Sequence, residues 1–165
     1  MSTPLLELSG VSKLFPTARG QLQAVDGVSF RIEAGEAFGL VGESGSGKST
    51  IGRLALGLIA PSAGDVRFMG QSIVGQSERA LKPFRRQAQM VFQDPYSSLN
   101  PRLRVREIIG EALDAHDLAQ DRRDARIAEL LDMVGLQAAH ATRYPHEFSG
   151  GQRQRIGIAR ALAVE

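Results

Sequence analysis

The nine residues Gly42-Glu43-Ser44-Gly45-Ser46-Gly47-Lys48-Ser49-Thr50 constrain this chain more than any other stretch. Gly42, Gly47, Lys48 and Ser49 satisfy the spacing G-x-x-x-x-G-K-[ST]. Glycines are needed in such a loop because consecutive backbone N–H groups must converge on one anion, in conformations that a Cβ obstructs. Ahead of it stands Ala37-Phe38-Gly39-Leu40-Val41, whose unbroken apolar character predicts a strand buried on both faces of a parallel sheet. Behind it, residues 51–58 read as a helix, with Leu54 and Leu58 at helical spacing and Gly57 and Pro61 as stop signals. Strand, glycine loop and helix in that order make a phosphate-binding unit. The helix adds its positive end, Lys48 reaches the β- and γ-phosphates of a nucleotide, and the Ser49 hydroxyl is placed to ligate Mg²⁺. A nucleotide site follows from these residues; the use made of the nucleotide does not.

Composition narrows the setting. A chain of 165 residues with no cysteine is one compact domain or most of one, long enough to bury roughly 70% of its unfolded surface without staples. With 42% hydrophobic and 23% charged residues, fibrous and disordered classes are excluded. Twenty Lys and Arg against eighteen Asp and Glu leave a net charge of +2, so the sequence carries no surplus suited to nucleic acid. No window holds 18 consecutive apolar residues, and Met1-Ser2-Thr3-Pro4 does not open a secretory signal, so a cytoplasmic protein is expected.

Around the loop the chain changes period. Residues 5–36 are short apolar runs broken by turns, and the alternation of Val28, Phe30 and Ile32 predicts a half-buried strand. After a turn at Ser62-Ala63-Gly64-Asp65 a strand is expected over residues 66–69, then a short basic helix over 81–86 and an apolar strand over 90–92 ending in Gln93-Asp94-Pro95. Pro95 and Pro101 keep the next segment extended. Val105, Ile108, Ile109 and Ala112, and again Ile127, Leu130, Leu131 and Val134, fall at i, i+3, i+4, i+7, which predicts two amphipathic helices, the second capped near Gly135. Both lie within an α/β domain as an insertion.

A second anion-binding pattern stands at Ser149-Gly150-Gly151-Gln152, opening a last helix through Ile156, Ile158 and Leu162. Ser149 can cap that helix, and two glycines free its first N–H groups. No lysine accompanies it, so such a site supplements a phosphate held elsewhere; taken alone, the pattern also fits an ordinary capped helix.

With both patterns in hand, the chain resembles the ATP-binding subunits of ABC transporters. Phe148-Ser149-Gly150-Gly151-Gln152 is similar to the family's signature, normally Leu-Ser-Gly-Gly-Gln, with Phe148 departing at the first position. Gln93 matches the family's Q-loop glutamine, and Phe15 stands in the place of the aromatic that stacks on adenine. The phosphate loop, the run Val91-Phe92-Gln93-Asp94-Pro95-Tyr96-Ser97-Ser98-Leu99-Asn100-Pro101, and the run from Tyr144 to Ile156 are similar to the oligopeptide and dipeptide importer group, to which nickel and glutathione importers also belong.

The resemblance implies an α/β P-loop ATPase core with an N-terminal antiparallel β subdomain and an inserted helical subdomain, the C-terminal part of the sheet missing. Residues 1–93 would form the β subdomain and core, about 94–148 the Q-loop and helical subdomain, and 149–165 the signature and its helix. It implies a peripheral subunit on the cytoplasmic face of the membrane, with ATP and Mg²⁺ as cofactors. Two such subunits, identical or paralogous, would meet head to tail. Gly42, Glu43, Ser44, Gly45, Ser46, Gly47, Lys48, Ser49 and Thr50 would bind ATP in cis, Ser149, Gly150, Gly151 and Gln152 in trans. Ser49 and Gln93 would hold Mg²⁺, and Lys48 and Gln93 would serve catalysis. Residues 94–103 would face permease subunits served by an extracytoplasmic solute-binding protein.

Hydrolysis in that family further needs an apolar strand ending in Asp-Glu and a histidine on the γ-phosphate. Residues 127–132 are helically spaced, and His116, His140 and His146 precede the signature and read as surface or structural. The chain therefore reads as a truncated subunit, expected to bind nucleotide without turning it over and to be marginally stable. The same two motifs occur in DNA-repair and chromosome-maintenance ATPases, but no heptad run or cysteine pair is present, and Arg122, Arg123 and Arg126 are interleaved with Asp121, Asp124 and Glu129. No nucleic-acid partner is expected. A non-catalytic nucleotide-binding module is the remaining alternative.

Overall fold

The computed structural model describes residues 3–18, 20–94 and 98–165. They form two compact units, one ending at Phe84 and the other beginning at Arg85. In the first unit, β1 (Leu6–Thr17), β2 (Gly20–Ile32), β3 (Ala63–Phe68) and β4 (Gln71–Ser72) form an antiparallel sheet in the order β2-β1-β3-β4. The alternation expected in β2 is present: Val28, Phe30 and Ile32 are half-buried between exposed Ser29 and Arg31. Asp26-Gly27 does not end that strand. The β1–β2 register shifts there, and a second shift falls between Leu8 and Val11. At these two of the three shifts a serine of the facing strand satisfies the freed backbone donor: Ser12 Oγ accepts from Gly27 N and Ser29 Oγ from Gly10 N, both at 2.8 Å.

Helix α1 (Lys48–Ala55) follows the glycine loop and buries Ile51, Leu54 and Ala55. It stops sooner than residue 58. Gly57, at φ +60°, donates to Leu54 O at 3.0 Å, and Leu58 N donates to Arg53 O at 2.8 Å, closing the two reciprocal bonds that end a helix on a left-handed residue. Leu58 is consequently beyond the helix and exposed. Helix α2 (Glu78–Gln87) buries Leu81 and Phe84, and together with Leu8, Val11, Val25, Val66 and Ile73 these make the core of this unit.

Two expected strands are not strands here. Neither residues 37–41 nor residues 90–92 pair with a neighbour, and Phe38, Leu40, Val41, Val91 and Phe92 are exposed, Val41 at 91%. A strand exists only through its ladder, and the described residues supply no parallel partner to either segment. Phe38 instead stacks on Phe30 of β2, with centroids 4.8 Å apart and planes 9° from parallel.

The second unit is helical, as the periodicity predicts. Helices α3 (Val105–Ala115), α4 (Arg123–Met133) and α5 (Gly150–Leu162) are joined through short 3-10 turns at Gln120–Arg122, Ala138–Thr142 and Pro145–Glu147. Their apolar stripes meet in one core that includes Val105, Ile108, Ile109, Ile127, Leu130, Leu131 and Ile156. Gly135 terminates α4 at φ +71°, donating to Asp132 O at 2.8 Å while Leu136 N reaches Leu131 O. The arginines that resemble a basic patch are paired with acids: Arg122 and Arg126 with Glu129, and Arg123 with Asp114. The extension expected between Pro95 and Pro101 falls partly on residues 95–97, outside those described, as does that part of the run from Val91 to Pro101. No helix among the described residues is long and apolar enough to cross a membrane.

Candidate nucleotide-binding site

Gly47 is the N-cap of α1 at φ +92°, and no side chain caps the helix's first turn. A Cβ on Gly47 would stand 2.5 Å from the carbonyl oxygen of Ala24 in β2, so the loop is pressed against the sheet at a point where only glycine fits. The Lys48 ammonium folds back into the loop. It donates to Gly42 O at 2.8 Å, to the Glu43 carbonyl and to Ser46 Oγ at 3.3 Å. Residues 42–46 and Ser49 are exposed; Gly47, Lys48 and Thr50 are half-buried. The result is an open cradle of backbone around one ammonium group and an uncapped helix start. Its chemistry suits a polyanion of phosphate type, held by N–H groups and a cation together, and the exposed Ser49 carries a hydroxyl of the kind that ligates Mg²⁺.

Gly47's contact with β2 also relates Phe15 to the loop. The β1–β2 register pairs Lys13 with Val25 and Phe15 with Leu22. The half-buried Phe15 pairs with Leu22, which lies two residues or about 7 Å along β2 from Ala24, at ~3.3 Å per residue.

The second pattern opens α5. Ser149 Oγ accepts from Gln152 N at 3.3 Å and Gln152 Oε1 accepts from Ser149 N at 3.0 Å, a reciprocal capping box. The two polar side chains are thus turned on each other, which leaves the backbone of Gly150 and Gly151 as the face offered to an outside group. A Cβ on either glycine would meet nothing within 4 Å, so this chain's own packing does not call for glycine there. Phe148 enters the core at 4% exposure, with the His140 ring edge-on at 5.4 Å and 90°, and so fixes the start of the motif. His140 Nδ1 accepts from Gln137 N at 3.2 Å and His146 stacks on Tyr144, both structural tasks.

Gln93 is exposed and belongs with Ser149–Gln152 to the second unit, whereas Phe15 and residues 42–50 belong to the first. Spacing did not reveal the arginines that brace α5. Arg153 Nε donates to Pro145 O at 2.7 Å, Arg155 Nη1 to Val134 O at 3.3 Å, and the half-buried Arg160 Nη1 to Ser98 O at 2.8 Å. Burial holds the Arg160 guanidinium below its ordinary value, against the raising influence of Glu111. Only the crowding of arginine in Arg153, Arg155 and Arg160 hinted at them.

The family model described as ABC transporter matches residues 25–165. The chain belongs to the ABC transporter family. It is 56% identical over 164 residues to the oligopeptide transport ATP-binding protein OppF of Streptococcus mutans, covering 98% of this chain and 53% of that protein. It is 54% identical over 168 residues to OppF of Bacillus subtilis, covering 100% of this chain and 55% of that one. The dipeptide transport ATP-binding protein DppF of Lactococcus lactis is 54% identical, covering 89% of this chain and 48% of its own length. The chain therefore spans about half the length of the relatives it matches. Among solved structures, the dimeric MJ0796, a bacterial ABC transporter cassette, superposes with a TM-score of 0.82 at 31% identity, over 96% of this chain and 69% of its own. A post-hydrolysis dimer of the same cassette, bound to ADP and Pi, gives the same score, identity and coverage. The mixed α/β fold, with an antiparallel sheet beside the phosphate loop and a helical unit, is that of an ABC ATPase cassette.

Proposed function

We propose that this chain is the ATP-binding part of an ABC importer subunit, coupling ATP binding and hydrolysis to the uptake of peptides or similar small solutes. The observation that carries the proposal is the Lys48 cradle, an ammonium ringed by loop carbonyls at the start of an uncapped helix, in a chain whose relatives are named oligopeptide and dipeptide transport ATP-binding proteins. Lys48 exchanges its carbonyl partners for β- and γ-phosphate oxygens, and the N–H groups of residues 43–50 complete the cradle. Ser49 would ligate a Mg²⁺ that, when bound, would neutralise charge on the two phosphates. Phe15 supplies a face for adenine. Ser149, Gly150, Gly151 and Gln152 close the site of a second, identical or paralogous subunit arranged head to tail. Glycine at 150 and 151, which this chain's own packing does not call for, suits a phosphate that approaches that backbone closely.

On this reading residues 1–93 carry the sheet and phosphate loop, 94–148 the Q-loop and helical part, and 149–165 the signature helix. The assembled subunit lies on the cytoplasmic face of the membrane against permease subunits, which a solute-binding protein supplies. The test is MgATP binding by equilibrium dialysis alongside labelled-peptide uptake by the whole subunit that contains this chain, in cells lacking the native subunit. The expected result is binding and restored uptake, with both lost in Lys48→Ala. Charge-assisted bonds of ~1.5–3 kcal/mol correspond to a loss of roughly ten- to a hundredfold in affinity. Binding that is indifferent to Lys48→Ala overturns the proposal.

A further inference from the structure

On β1, Lys13 and Phe15 form a unit that the phosphate loop and signature leave unaccounted for. The Lys13 ammonium stands 5.2 Å from the centroid of the Phe15 ring and donates to Ala60 O at 2.6 Å. Ala60 lies just beyond α1, the helix that begins with Lys48. Two further bonds join the same segments: Leu14 N donates to Ser62 Oγ at 3.0 Å and Ser62 N to Ser12 O at 2.8 Å. Residues 12–14 of β1 are thus clipped to residues 60–62, and the ammonium is the one member of the clip that also touches the ring.

We propose that Lys13 is the positioning residue of the base subsite: its ammonium occupies one face of Phe15, fixes the ring relative to α1, and leaves the opposite face for a purine. Two effects act together. A cation behind the ring draws π density toward itself, so the free face repels an electron-rich purine less. The ring, already held, loses less side-chain freedom when the base arrives. The inference rests on the proposed role of Phe15 in nucleotide binding and extends it to a residue that never touches the phosphates.

The experiment compares two probes, MgATP and Mg-tripolyphosphate, by isothermal titration on the wild type, Lys13→Met, Lys13→Arg and Phe15→Ala. Tripolyphosphate has no base, so it reads the phosphate loop alone. An exposed cation–π contact of ~0.5–1 kcal/mol corresponds to a loss of about two- to fivefold. The expectation is that Lys13→Met weakens MgATP by that factor, leaves tripolyphosphate unchanged, and that Lys13→Arg restores MgATP. Equal loss of both probes means that Lys13 acts only by holding β1 to Ala60, and overturns the inference; so does unchanged ATP affinity in Lys13→Met. If Phe15→Ala leaves the ratio of the two affinities unchanged, the underlying role of Phe15 fails as well. If Phe15→Ala lowers the ratio and Lys13→Met does not, the inference about Lys13 fails alone.

Discussion

Gly64 of β3 meets the backbone of Gly10 of β1 so closely that a Cβ on Gly64 would fall 2.3 Å from the Gly10 carbonyl oxygen. Gly64 is also at φ +84°, and the contact coincides with the β1–β3 register shift between Ser9 and Ser12. Gly64→Ala therefore meets a left-handed penalty of ~1–2 kcal/mol and a rigid backbone clash of ~1–3 kcal/mol. Urea denaturation should show a loss of about 2–5 kcal/mol. Gly110→Ala gives the contrast. Its Cβ would land 1.9 Å from Arg123 Nη2, yet that group is the end of a flexible side chain in an exposed pair with Asp114. Displacing the pair costs ~0–1 kcal/mol and alanine in a helix gains about as much, so a change within ~1 kcal/mol of zero is expected.

Ser149→Ala removes one half of the capping box on α5. A stability loss of ~1 kcal/mol is expected, and Ser149→Asp, which restores an acceptor, should recover most of it. Thermal denaturation of the three proteins checks this; a drop unrelieved by aspartate would mean that the serine is held for a different reason.

Gly151→Ala should separate folding from function. With nothing within 4 Å of the added methyl, α5 gains up to ~1 kcal/mol of helix propensity, while ATP-dependent association of two subunits weakens. Melting temperature and light scattering in the presence of MgATP read the two effects independently.

Asp65 sets a pH dependence. The hydrogen bond from Arg67 Nε at 2.8 Å, followed by that from Ser72 Oγ at 2.6 Å, holds its carboxyl below the ordinary carboxylate value. A lowered folded value contributes stability that is complete above the unfolded value of about 3.9 and is lost as pH falls through the folded one. The wild type should exceed Asp65→Asn in urea midpoint at pH 6, with the gap closing as pH is lowered toward 3.

Much of the architecture was legible because it depends on local spacing. The stripes of Ile108 with Ile109 and of Leu130 with Leu131 needed only a 3.6-residue period, and Gly135 and Ser149 cap the helices that their residue types suggest. Apolar character alone predicts strands at residues 37–41 and 90–92, but strand formation depends on a partner elsewhere in the chain, which no window reveals. The same holds at finer scale. That Ser12 and Ser29 fill the donors freed at Gly27 and Gly10, or that Lys13 reaches Ala60 across 47 positions, is fixed by register, which short-range patterns do not encode.

Because the Lys48 ammonium already rests on the Gly42 and Glu43 carbonyls, an arriving ligand enters by exchange and gains only the difference between old partners and new. A singly phosphorylated nucleoside offers little advantage over those carbonyls, whereas a chain of three phosphates offers a large one. On the proposed reading the loop would thereby discriminate by ligand charge before any contact is made with sugar or base.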